Sequence, residues 1–401
     1  MTDDNTIIRI AARGDGVTGD GRHIAGGVTG DRIADDGTLV EGPHHVDPPC
    51  RHYATCGACQ LQHADEEALA RFVRDRVVLA AEGQGMTAEH VAPTHLSPPH
   101  SRRRATLHFQ RAGKRIVIGF REEKSHRIVD MTQCHVLAPA LFAIVAPVRK
   151  LLSGWSQAKS GQLGLTLVDQ GVDMTLAGAA PEGLEQTEGL LDFARKRNLA
   201  RLSVDHGFGA EPVWEPEPVT IRLGGIAVPF PSGAFLQATS DGEAALVGAA
   251  REWSADCDRV ADLFAGLGTF AFALADRSQV VAVEAARSAI LAATVPGRRA
   301  GNPIEFAHRD LFRNPLDEKE CAAFDAILLD PPRAGAREQI QRIAASEVRR
   351  VMYVSCNPAS WAKDAKVLVE ASFVLKELRP VGQFRWSTHV ELASLFVRPG
   401  A

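Results

Sequence analysis

The spacing of apolar and polar residues divides the chain into three stretches. Residues 1–48 hold short β-prone runs separated by glycines, a pattern that predicts a small β-barrel or meander. Residues 49–230 mix helical and strand patterns. Residues 231–401 alternate apolar strands with helices, which is the rhythm of a doubly wound parallel sheet. We therefore predict three domains with these boundaries, the last of them α/β.

The last stretch carries the clearest pattern. Its predicted strands are residues 260–264, 279–284, 326–329, 351–355 and 390–397, and its first helices are residues 269–275 and 288–294. In the middle stretch, residues 65–81 have the pattern of a helix. The proline-rich residues 211–218 predict a linker between domains.

Residues 101–127 carry nine Arg or Lys against two Glu, a local charge of +7, on alternating residues that predict a strand pair. Such a charge run is either a solvated face or a surface for nucleic acid, and both interpretations stay open. Residues 1–48 are acidic instead, with nine acidic and four basic side chains. An RNA-binding role for that first stretch would act against its own charge.

Composition narrows the class of protein. The formal net charge is −4, and 45% of the residues are hydrophobic, which is ordinary for a globular enzyme. No run of about 18 apolar residues predicts a membrane span, and the first residues lack a signal pattern. Seven cysteines are too few for a secreted disulfide framework. We expect a cytoplasmic protein, monomeric by default.

A glycine-rich turn follows the first strand of the last stretch. Asp262 opens the segment Asp-Leu-Phe-Ala-Gly-Leu-Gly, and Glu284 ends the next strand, where a carboxylate can accept both hydroxyls of a ribose. Ala271 stands where a dinucleotide fingerprint has its third glycine. The pattern therefore favours S-adenosylmethionine over a nicotinamide cofactor.

Three further segments carry candidate chemistry at the carboxyl edge of the sheet. Asp330-Pro-Pro-Arg333 ends one strand, and the arginine argues against N-methylation because amino-group methyltransferases usually have an aromatic residue there. Cys356 follows the next strand, where polar neighbours and a helix start predict a lowered thiol pKa and a nucleophile. Glu391 heads the final strand and is a candidate general base.

Three cysteines cluster early in the chain. Cys50, Cys56 and Cys59, with Cys134 as a fourth ligand, suit four thiolates around one metal centre. Zinc and a [4Fe–4S] cluster both accept four thiolates, so the spacing leaves both open.

Together these motifs resemble the family of S-adenosylmethionine-dependent RNA (uracil-5-)methyltransferases, over most of the chain. The matching segments are residues 235–237, 262–270, 330–335 and 353–358, and Phe384 with residues 389–391. The four thiols look like the iron–sulfur site of the branch that modifies 23S ribosomal RNA. Residues 382–387 depart from the usual Asp-x-Phe-Pro-Gln-Thr, and Ser360 replaces a usual threonine.

The resemblance implies a class I Rossmann-like methyltransferase domain, a TRAM-like β-barrel at the start and a central α+β domain with a metal cluster. It implies Cys356 as nucleophile, Glu391 as base, a [4Fe–4S] cluster on Cys50, Cys56, Cys59 and Cys134, and RNA, in particular 23S ribosomal RNA, as partner. The residues implied to line the S-adenosylmethionine pocket are Gln237, Phe264, Thr269, Glu284, Asp310 and Asp330.

Three alternatives stay open at this point. One is a uracil-5 methyltransferase that acts on tRNA. The second is an RNA cytosine-5 methyltransferase, which uses the same addition chemistry but normally has a Pro-Cys where Pro332 is followed by Arg333. The third is a non-catalytic, metal-stabilised RNA-binding protein, which would leave Cys356, Glu284 and Glu391 without a role.

Overall fold

The computed structural model describes residues 4–400. Residues 1–3 and 401, at the outer ends of the first and last predicted domains, lie outside the described residues. The chain begins with a small β domain. Its strands are β1 (Ile7–Ile10), β2 (Gly16–Thr18), β3 (His23–Ile24), β4 (Arg32–Ile33) and β5 (Leu39–Val40).

Two small sheets make up this first domain. The first three strands are antiparallel neighbours, β4 pairs with β5, and a bridge between Thr6 and Arg32 joins the two sheets. The fully buried Asp31 accepts hydrogen bonds from Val28 N and Gly42 N. These bonds fix the connecting loop, because the strands themselves are too short to form a long ladder. The TRAM-like character of this domain stays a prediction.

The middle of the chain builds a six-stranded sheet covered by helices on one face. Its strand order is β13-β12-β11-β10-β8-β9. The elements of this region are α1 (Glu66–Glu82), β6 (His90–Val91), β7 (His95–Leu96), β8 (Arg104–Ala112), β9 (Arg115–Gly119), α2 (Pro139–Ser153), β10 (Ser160–Val168), β11 (Gly171–Ala177), α3 (Gly183–Lys196), β12 (Leu199–Asp205), β13 (Ala210–Trp214), β14 (Thr220–Leu223) and β15 (Ile226–Pro229).

Alternation along β8 explains which face of this sheet is covered. Leu107 and Phe109 are fully buried and pack with α2 residues such as Leu141, whereas Thr106 before them and Gln110 after them are exposed. The basic strand pair of the sequence analysis is therefore present as β8 and β9, antiparallel and joined by a short turn.

The prediction of a linker at residues 211–218 is wrong for the first half of this segment. Its first residues lie in β13, which pairs with β12 at the edge of the six-stranded sheet. Pro212 is compatible with a strand there because an edge strand has one side without ladder hydrogen bonds. The connecting segment begins only after Trp214.

The last part of the chain forms a nine-stranded sheet with strand order β18-β17-β16-β19-β20-β22-β21-β6, and β7 also pairs with β21. The elements of this region are α4 (Ser240–Trp253), β16 (Arg259–Leu263), α5 (Thr269–Leu274), β17 (Gln279–Glu284), α6 (Arg287–Gly297), β18 (Glu305–His308), α7 (Glu318–Ala322), β19 (Ala326–Leu329), α8 (Arg337–Ala345), β20 (Arg350–Ser355), α9 (Pro358–Glu370), β21 (Val374–Gly382) and β22 (Glu391–Val397).

Both faces of this sheet are buried. In β19, Ile327 and Leu329 pack on the side of α8 and α9, and Ala326 and Leu328 pack on the side of α4 and α5. β16 to β20 run parallel, and β22 is antiparallel to both of its neighbours. The strand order reverses between β16 and β19, and ligands bind in α/β sheets at such a switch point, beyond the carboxyl ends of the strands.

Residues from the middle stretch complete the last sheet. Helix α1 begins at its N-cap Asp65, whose carboxylate accepts from Ala68 N at 2.8 Å, and buries Phe72 and Val77 against the α9 side of the sheet. β6 and β7 pair with β21. The domain boundaries at residues 48 and 230 stay predictions. Helix α1 packs on one face of the last sheet, and β6 and β7 extend its edge beyond β21.

Candidate active site

One large cleft of about 990 Å³ opens at the carboxyl ends of the parallel strands. Residues at the start of β8 and in the loop around Cys59 also line this cleft. Eight side chains that the sequence predicts as site residues line this one cleft: Gln237, Phe264, Thr269, Glu284, Asp310, Asp330, Cys356 and Glu391. The fold therefore brings together residues that lie up to 154 positions apart in the sequence (391 − 237).

The glycine-rich turn after β16 has a backbone that few residue types adopt. Gly266 and Gly268 have φ angles of 56° and 90°, in the left-handed region that glycine tolerates. Glu284 braces this turn, since its two carboxylate oxygens accept from Gly266 N at 2.8 Å and Ala286 N at 2.7 Å. The predicted ribose-binding carboxylate thus holds the turn and lines the cleft at the same time.

Asp262 lies beneath the same turn and is fully buried. Ala271 N donates to its Oδ2 at 2.9 Å, while Oδ1 has no hydrogen-bond partner among the described residues. Burial, with the nearby carboxyls of Asp330 and Glu284, raises the pKa of Asp262 to about 8. This side chain fixes the start of α5 rather than lining the cleft.

Aromatic rings close the cleft at the end of β16. Phe264 has a φ of 61°, and its ring centroid lies 5.4 Å from that of Phe312. Phe312 follows Asp310, whose carboxylate accepts from Phe312 N at 3.0 Å. Phe312 is 43% exposed and offers a flat apolar surface, which the sequence analysis did not predict.

The loop that carries Cys356 is tied to the loop after β19. The side chain of Asn357 donates to the carbonyl of Arg333 at 2.9 Å and caps α9 by accepting from Ala359 N. Ser360 Oγ donates to the same Arg333 carbonyl at 2.9 Å. A hydroxyl is all that this contact needs, so serine serves here in place of the usual threonine.

The pKa predicted for the Cys356 thiol is wrong in direction. Burial raises it to about 11, and the neighbouring carboxyls of Glu391 and Asp330 add to the rise, while Arg333 opposes it. The sequence prediction counted the polar neighbours and the following helix. It could not count two carboxyls delivered from other strands, which disfavour a thiolate at this position.

Strand pairing places Glu391 beside Cys356. The antiparallel ladder of β20 and β22 ends with Ser355 opposite Leu392, so Cys356 directly follows one member of the last pair and Glu391 directly precedes the other. Glu391 is 4% exposed. Burial and the nearby carboxyl of Asp330 raise its pKa to about 8, against lowering contacts from Gln383 and Arg333.

A chain of amide side chains crosses the cleft floor. Gln237 donates to the carboxylate of Asp330 at 3.2 Å, and Gln383 donates to the side-chain oxygen of Gln237 at 2.8 Å. Burial raises the pKa of Asp330 to about 7. The cleft thus holds two carboxyl groups, those of Asp330 and Glu391, that ionise near neutral pH.

The four predicted metal-ligand cysteines line a second, smaller cavity next to the cleft. All four are free thiols; Cys50 and Cys59 are buried, and Cys56 and Cys134 are partly buried. Burial raises the thiol pKa of Cys56, Cys59 and Cys134, and neighbouring members of the set raise it further. Among residues 4–400, no three His, Cys, Asp or Glu side chains converge closely enough to hold a single metal ion.

Comparison with known proteins places the chain in a family. A family model described as tRNA (Uracil-5-)-methyltransferase matches residues 308–398. An uncharacterized RNA methyltransferase of Zymomonas mobilis is 47% identical over 98% of this chain and 99% of its own length. A 23S rRNA (uracil(1939)-C(5))-methyltransferase, RlmD, of Pectobacterium atrosepticum is 31% identical over 90% of this chain and 82% of its own length. The chain belongs to the RNA (uracil-5-)methyltransferase family.

A solved structure supports the fold of this methyltransferase. The tRNA (uracil-54, C5)-methyltransferase of Pyrococcus abyssi, determined with S-adenosyl-L-homocysteine, superposes with a TM-score of 0.76 at 21% identity. The match covers 99% of this chain and 100% of that chain. This match confirms the predicted α/β methyltransferase fold. The family model and the relatives named above confirm the predicted enzyme class.

The arginines of the basic run, residues 101–127, have different roles in this methyltransferase. Arg103 is committed to structure, because it donates to Gln237 O at 3.0 Å and forms an ion pair of 2.5 Å with Glu243. Arg102 and Arg104 line the cleft, and each lies over an aromatic ring, Phe384 at 5.4 Å and Phe235 at 5.1 Å. Part of the run is thus structural, and a nucleic-acid contact by Arg102 and Arg104 stays a prediction.

The outer part of the same run is a solvated, internally paired turn. Lys124 lies 3.1 Å from Glu123, and Arg127 lies 3.7 Å from Glu122. The basic surface that faces the cleft is consequently smaller than the charge count of +7 indicates. Sequence reasoning missed Gln383, Phe312 and Asp262 as residues that shape the cleft, although Asp262 lies inside a matched motif.

Proposed function

We propose that this enzyme transfers a methyl group from S-adenosylmethionine to C5 of a uridine in RNA, specifically 23S ribosomal RNA, through a covalent adduct of Cys356 with C6. The observation that carries the proposal is the convergence of a thiol and a buried carboxyl at one sheet edge. Cys356 and Glu391 flank the last residue pair between β20 and β22 and line the same cleft as Glu284 and Asp330.

The proposed reaction needs a nucleophile because C5 of uracil is a weak nucleophile itself. The Cys356 thiolate adds to C6, and the electrons of the C5–C6 double bond move onto C5 and O4. S-adenosylmethionine, when bound, would supply an electrophilic methyl group on a sulfonium. C5 would take this methyl group as its bond to the sulfonium sulfur breaks, and S-adenosylhomocysteine would leave. Glu391 then removes the proton from C5, the double bond re-forms, and the bond from C6 to sulfur breaks to regenerate the thiolate.

The raised pKa of Glu391 supports its role as a base. A carboxyl with a pKa of about 8 is a stronger base than an exposed glutamate, and the pKa also lies close to working pH. The target uridine must leave its stack to reach a cleft of this depth. Arg102 and Arg104, at the mouth, would contact its neighbouring phosphates or bases.

We propose that the cleft residues beyond the reacting pair hold the methyl donor. Glu284 would accept the ribose hydroxyls, Phe264 and Phe312 would contact the adenine, and Gln237, Thr269, Asp310 and Asp330 would surround the remaining polar groups. The fit is supported by the glycine backbone at residues 266 and 268, which leaves space for a ligand beside the turn.

We propose that Cys50, Cys56, Cys59 and Cys134 hold a [4Fe–4S] cluster. Zinc would require four sulfurs at about 2.3 Å from one point. The four thiols line one cavity, and the resemblance to the 23S ribosomal RNA branch favours the iron–sulfur cluster over zinc. Its part would be structural, and anaerobically purified protein should then be brown and contain iron and sulfide.

The choice of 23S ribosomal RNA rests on two points. The RlmD relative carries that substrate in its name, and the four-thiol set accompanies it in the resemblance. Monomeric state and cytoplasmic location stay predictions. Within residues 4–400, no helix is long and apolar enough to cross a membrane.

Substitution E391Q tests the proposed chemistry. An unmodified 23S ribosomal RNA transcript and S-adenosylmethionine should give a covalent protein–RNA adduct that persists, because proton removal fails while addition and methylation proceed. Glu370→Gln, at an exposed position of α9, is the matched control and should turn over normally. Full turnover by E391Q would remove Glu391 as the base.

Nucleoside mapping tests the substrate. Loss of one 5-methyluridine from 23S ribosomal RNA in a strain lacking the gene would support the proposal. Loss from tRNA would assign the enzyme to the tRNA branch, and loss of 5-methylcytidine would replace uracil by cytosine as the target base.

A further inference from the structure

We propose that the exposed surface of α6 and its C-terminal cap binds the phosphate backbone of the substrate RNA where the strand leaves the cleft. This surface, called the α6 face below, consists of Arg287, Leu291, Val295, Arg298 and Arg299. The inference rests on the proposed function, since it takes RNA as the substrate. It concerns an element to which neither the sequence motifs nor the proposed reaction assigns a role.

Helix α6 begins at the rim of the cleft. Its N-cap residue Ala286 donates its backbone N–H to the Glu284 carboxylate at 2.7 Å, and Ser288 and Ala289 in the first turn line the cleft. At about 1.5 Å per residue, the 11 residues of α6 extend about 16 Å away from this rim. The helix therefore leads from the proposed site of the reaction along the flank of the last domain.

The two sides of α6 have different surroundings. Ala289 and Ala293 are buried in the core on the α4 and α5 side of the sheet. Arg287, Leu291 and Val295 recur at every fourth residue, so they lie on one face of the helix, and all three are exposed. The side that packs on the sheet is therefore fixed, and the α6 face is open to solvent.

The apolar part of the α6 face belongs to a small set. Within residues 231–400, four large apolar side chains are exposed. Phe235 and Phe312 line the cleft, and the other two, Leu291 and Val295, are 65% and 58% exposed on α6. Adjacent apolar side chains bordered by charged ones are more typical of a contact surface than isolated ones are. The α6 face is therefore the one place outside the cleft where this described part of the chain offers such a pair.

The charged part of the α6 face is entirely basic. Arg287, Arg298 and Arg299 are exposed, and residues 287–299 contain no Asp or Glu. Among residues 4–400, none of these three guanidinium groups forms an ion pair or a hydrogen bond with another side chain. On α3, by contrast, Arg195 pairs with Asp192 at 3.1 Å. Unpaired arginines on one surface create a positive potential that favours an anionic partner.

An RNA backbone fits this chemistry and this position. A guanidinium can donate two parallel hydrogen bonds to one phosphate, and the apolar side chains beside it reduce the local polarity, which strengthens the attraction. An acidic protein segment would match the charge but has no reason to meet the rim of the cleft, which the substrate RNA must cross. A membrane is disfavoured because the apolar side of α6 is already buried on the sheet.

The test combines Arg287→Gln, Arg298→Gln and Arg299→Gln in one variant of the full chain. Its affinity for an unmodified 23S ribosomal RNA transcript is measured at several salt concentrations. Each phosphate contact adds about 0.7–0.9 to the slope of log affinity against log salt, so the slope should become shallower by about two to three. The affinity at about 0.1 M salt should fall at least about tenfold. In methylation assays, the loss should appear in KM for RNA far more than in kcat.

Lysine at the same three positions separates charge from shape. Arg287→Lys, Arg298→Lys and Arg299→Lys together keep the positive charges and remove the forked guanidinium groups. This variant should retain the salt slope of the wild type and lose only part of the affinity. If the glutamine variant does not fold, Arg298→Gln and Arg299→Gln are measured singly, and each should reduce the slope by about one.

The matched control removes the same number of charges from the opposite side of the sheet. Arg349→Gln, Lys363→Gln and Lys366→Gln change three exposed residues that do not line the cleft. Both lysines belong to α9, which packs on the α1 and α8 side of the sheet. This variant should keep the salt slope of the wild type, so it accounts for the effect of net charge alone.

Three results would overturn the inference. One is an unchanged salt slope in the glutamine variant, and another is an equal loss of slope in that variant and in the control. The third is normal binding of the bare transcript with poor methylation of protein-bound 23S ribosomal RNA, which would assign the α6 face to a protein partner.

Failure of the proposed function has a different signature. The wild type would then leave every uridine of the transcript unmethylated. The salt slope reports phosphate contacts with any RNA and needs no methylation. It would therefore still separate the glutamine variant from the control.

Discussion

Burial disfavours the ionised form of side chains in both the cleft and the cysteine cavity, but the groups that surround these side chains differ. In the cleft, burial raises the pKa of Glu391 to about 8, and the Gln237 amide, itself held by Gln383, donates to the Asp330 carboxyl. In the cavity, the thiols of Cys56, Cys59 and Cys134 have raised pKa values, and further thiols are among their neighbours.

The difference indicates two kinds of use. A carboxyl with amide donors and an ionisation near neutral pH can gain and lose a proton at little cost in free energy. Thiols that raise one another's pKa become thiolates only when a metal centre replaces the protons. We infer that the cleft is arranged for proton transfer and the cavity for permanent occupation.

The same substitution in the two regions tests this difference most strongly. Cys356→Ser should lower methylation by about 10⁴-fold or more, because a serine hydroxyl is a far weaker nucleophile than a thiolate. Its free energy of unfolding should stay within about 0.5 kcal/mol of the wild type. Quantified 5-methyluridine and thermal unfolding measure the two quantities. Residual turnover near the wild-type rate would contradict the assignment.

Cys59→Ser should have the reverse profile. We expect the iron content to fall from about four atoms per chain to near zero, and the melting temperature to fall by about 2–4 °C for each 1 kcal/mol lost. Iron assay and calorimetry provide the measurements. Cys321→Ser, at a buried thiol outside the cavity, is the control and should retain iron. Unchanged iron in Cys59→Ser would break the comparison.

The smallest expected effect concerns the pH dependence of stability. The pKa of Asp262 in the folded protein is about 8, above its unfolded value, so the folded state binds the extra proton. The contribution of this carboxyl to stability therefore falls as pH rises from about 4 to 8. Asp262→Asn cannot lose a proton, so its unfolding free energy should gain on the wild type as pH rises across this range. The prediction is wrong if the unfolding free energies of both proteins change by the same amount between pH 5 and pH 8.

Elements with a strong local signal could be predicted from the sequence. β17 and β19 have the predicted bounds, because a strand buried on both faces is a continuous apolar run. Asp65 predicts the start of α1, since its side chain caps the helix. β2 was missed because Gly16-Val-Thr18 is too short to show a period.

Features that depend on distant contacts could not be predicted. The thiol pKa of Cys356 depends on Asp330 and Glu391, which arrive from other strands. The alignment of Gln383 depends on Ala238, 145 positions earlier in the chain. The cleft residues were predicted from motifs or, like Asp310, from the family resemblance, whereas the link from Gln383 to Gln237 has no local sequence signature.

The attachment of α1 to the last sheet has a consequence for how the chain can be divided. Phe72 and Val77 pack with Leu378 of β21, and His90 of β6 pairs with Glu377. A fragment starting at residue 231 would leave this apolar flank open to water and would remove the partners β6 and β7 from the outer side of β21. During synthesis, roughly three hundred further residues must follow α1 before the sheet face against which it packs is complete. Early and late parts of this chain therefore mature as one unit and should not tolerate being cut apart.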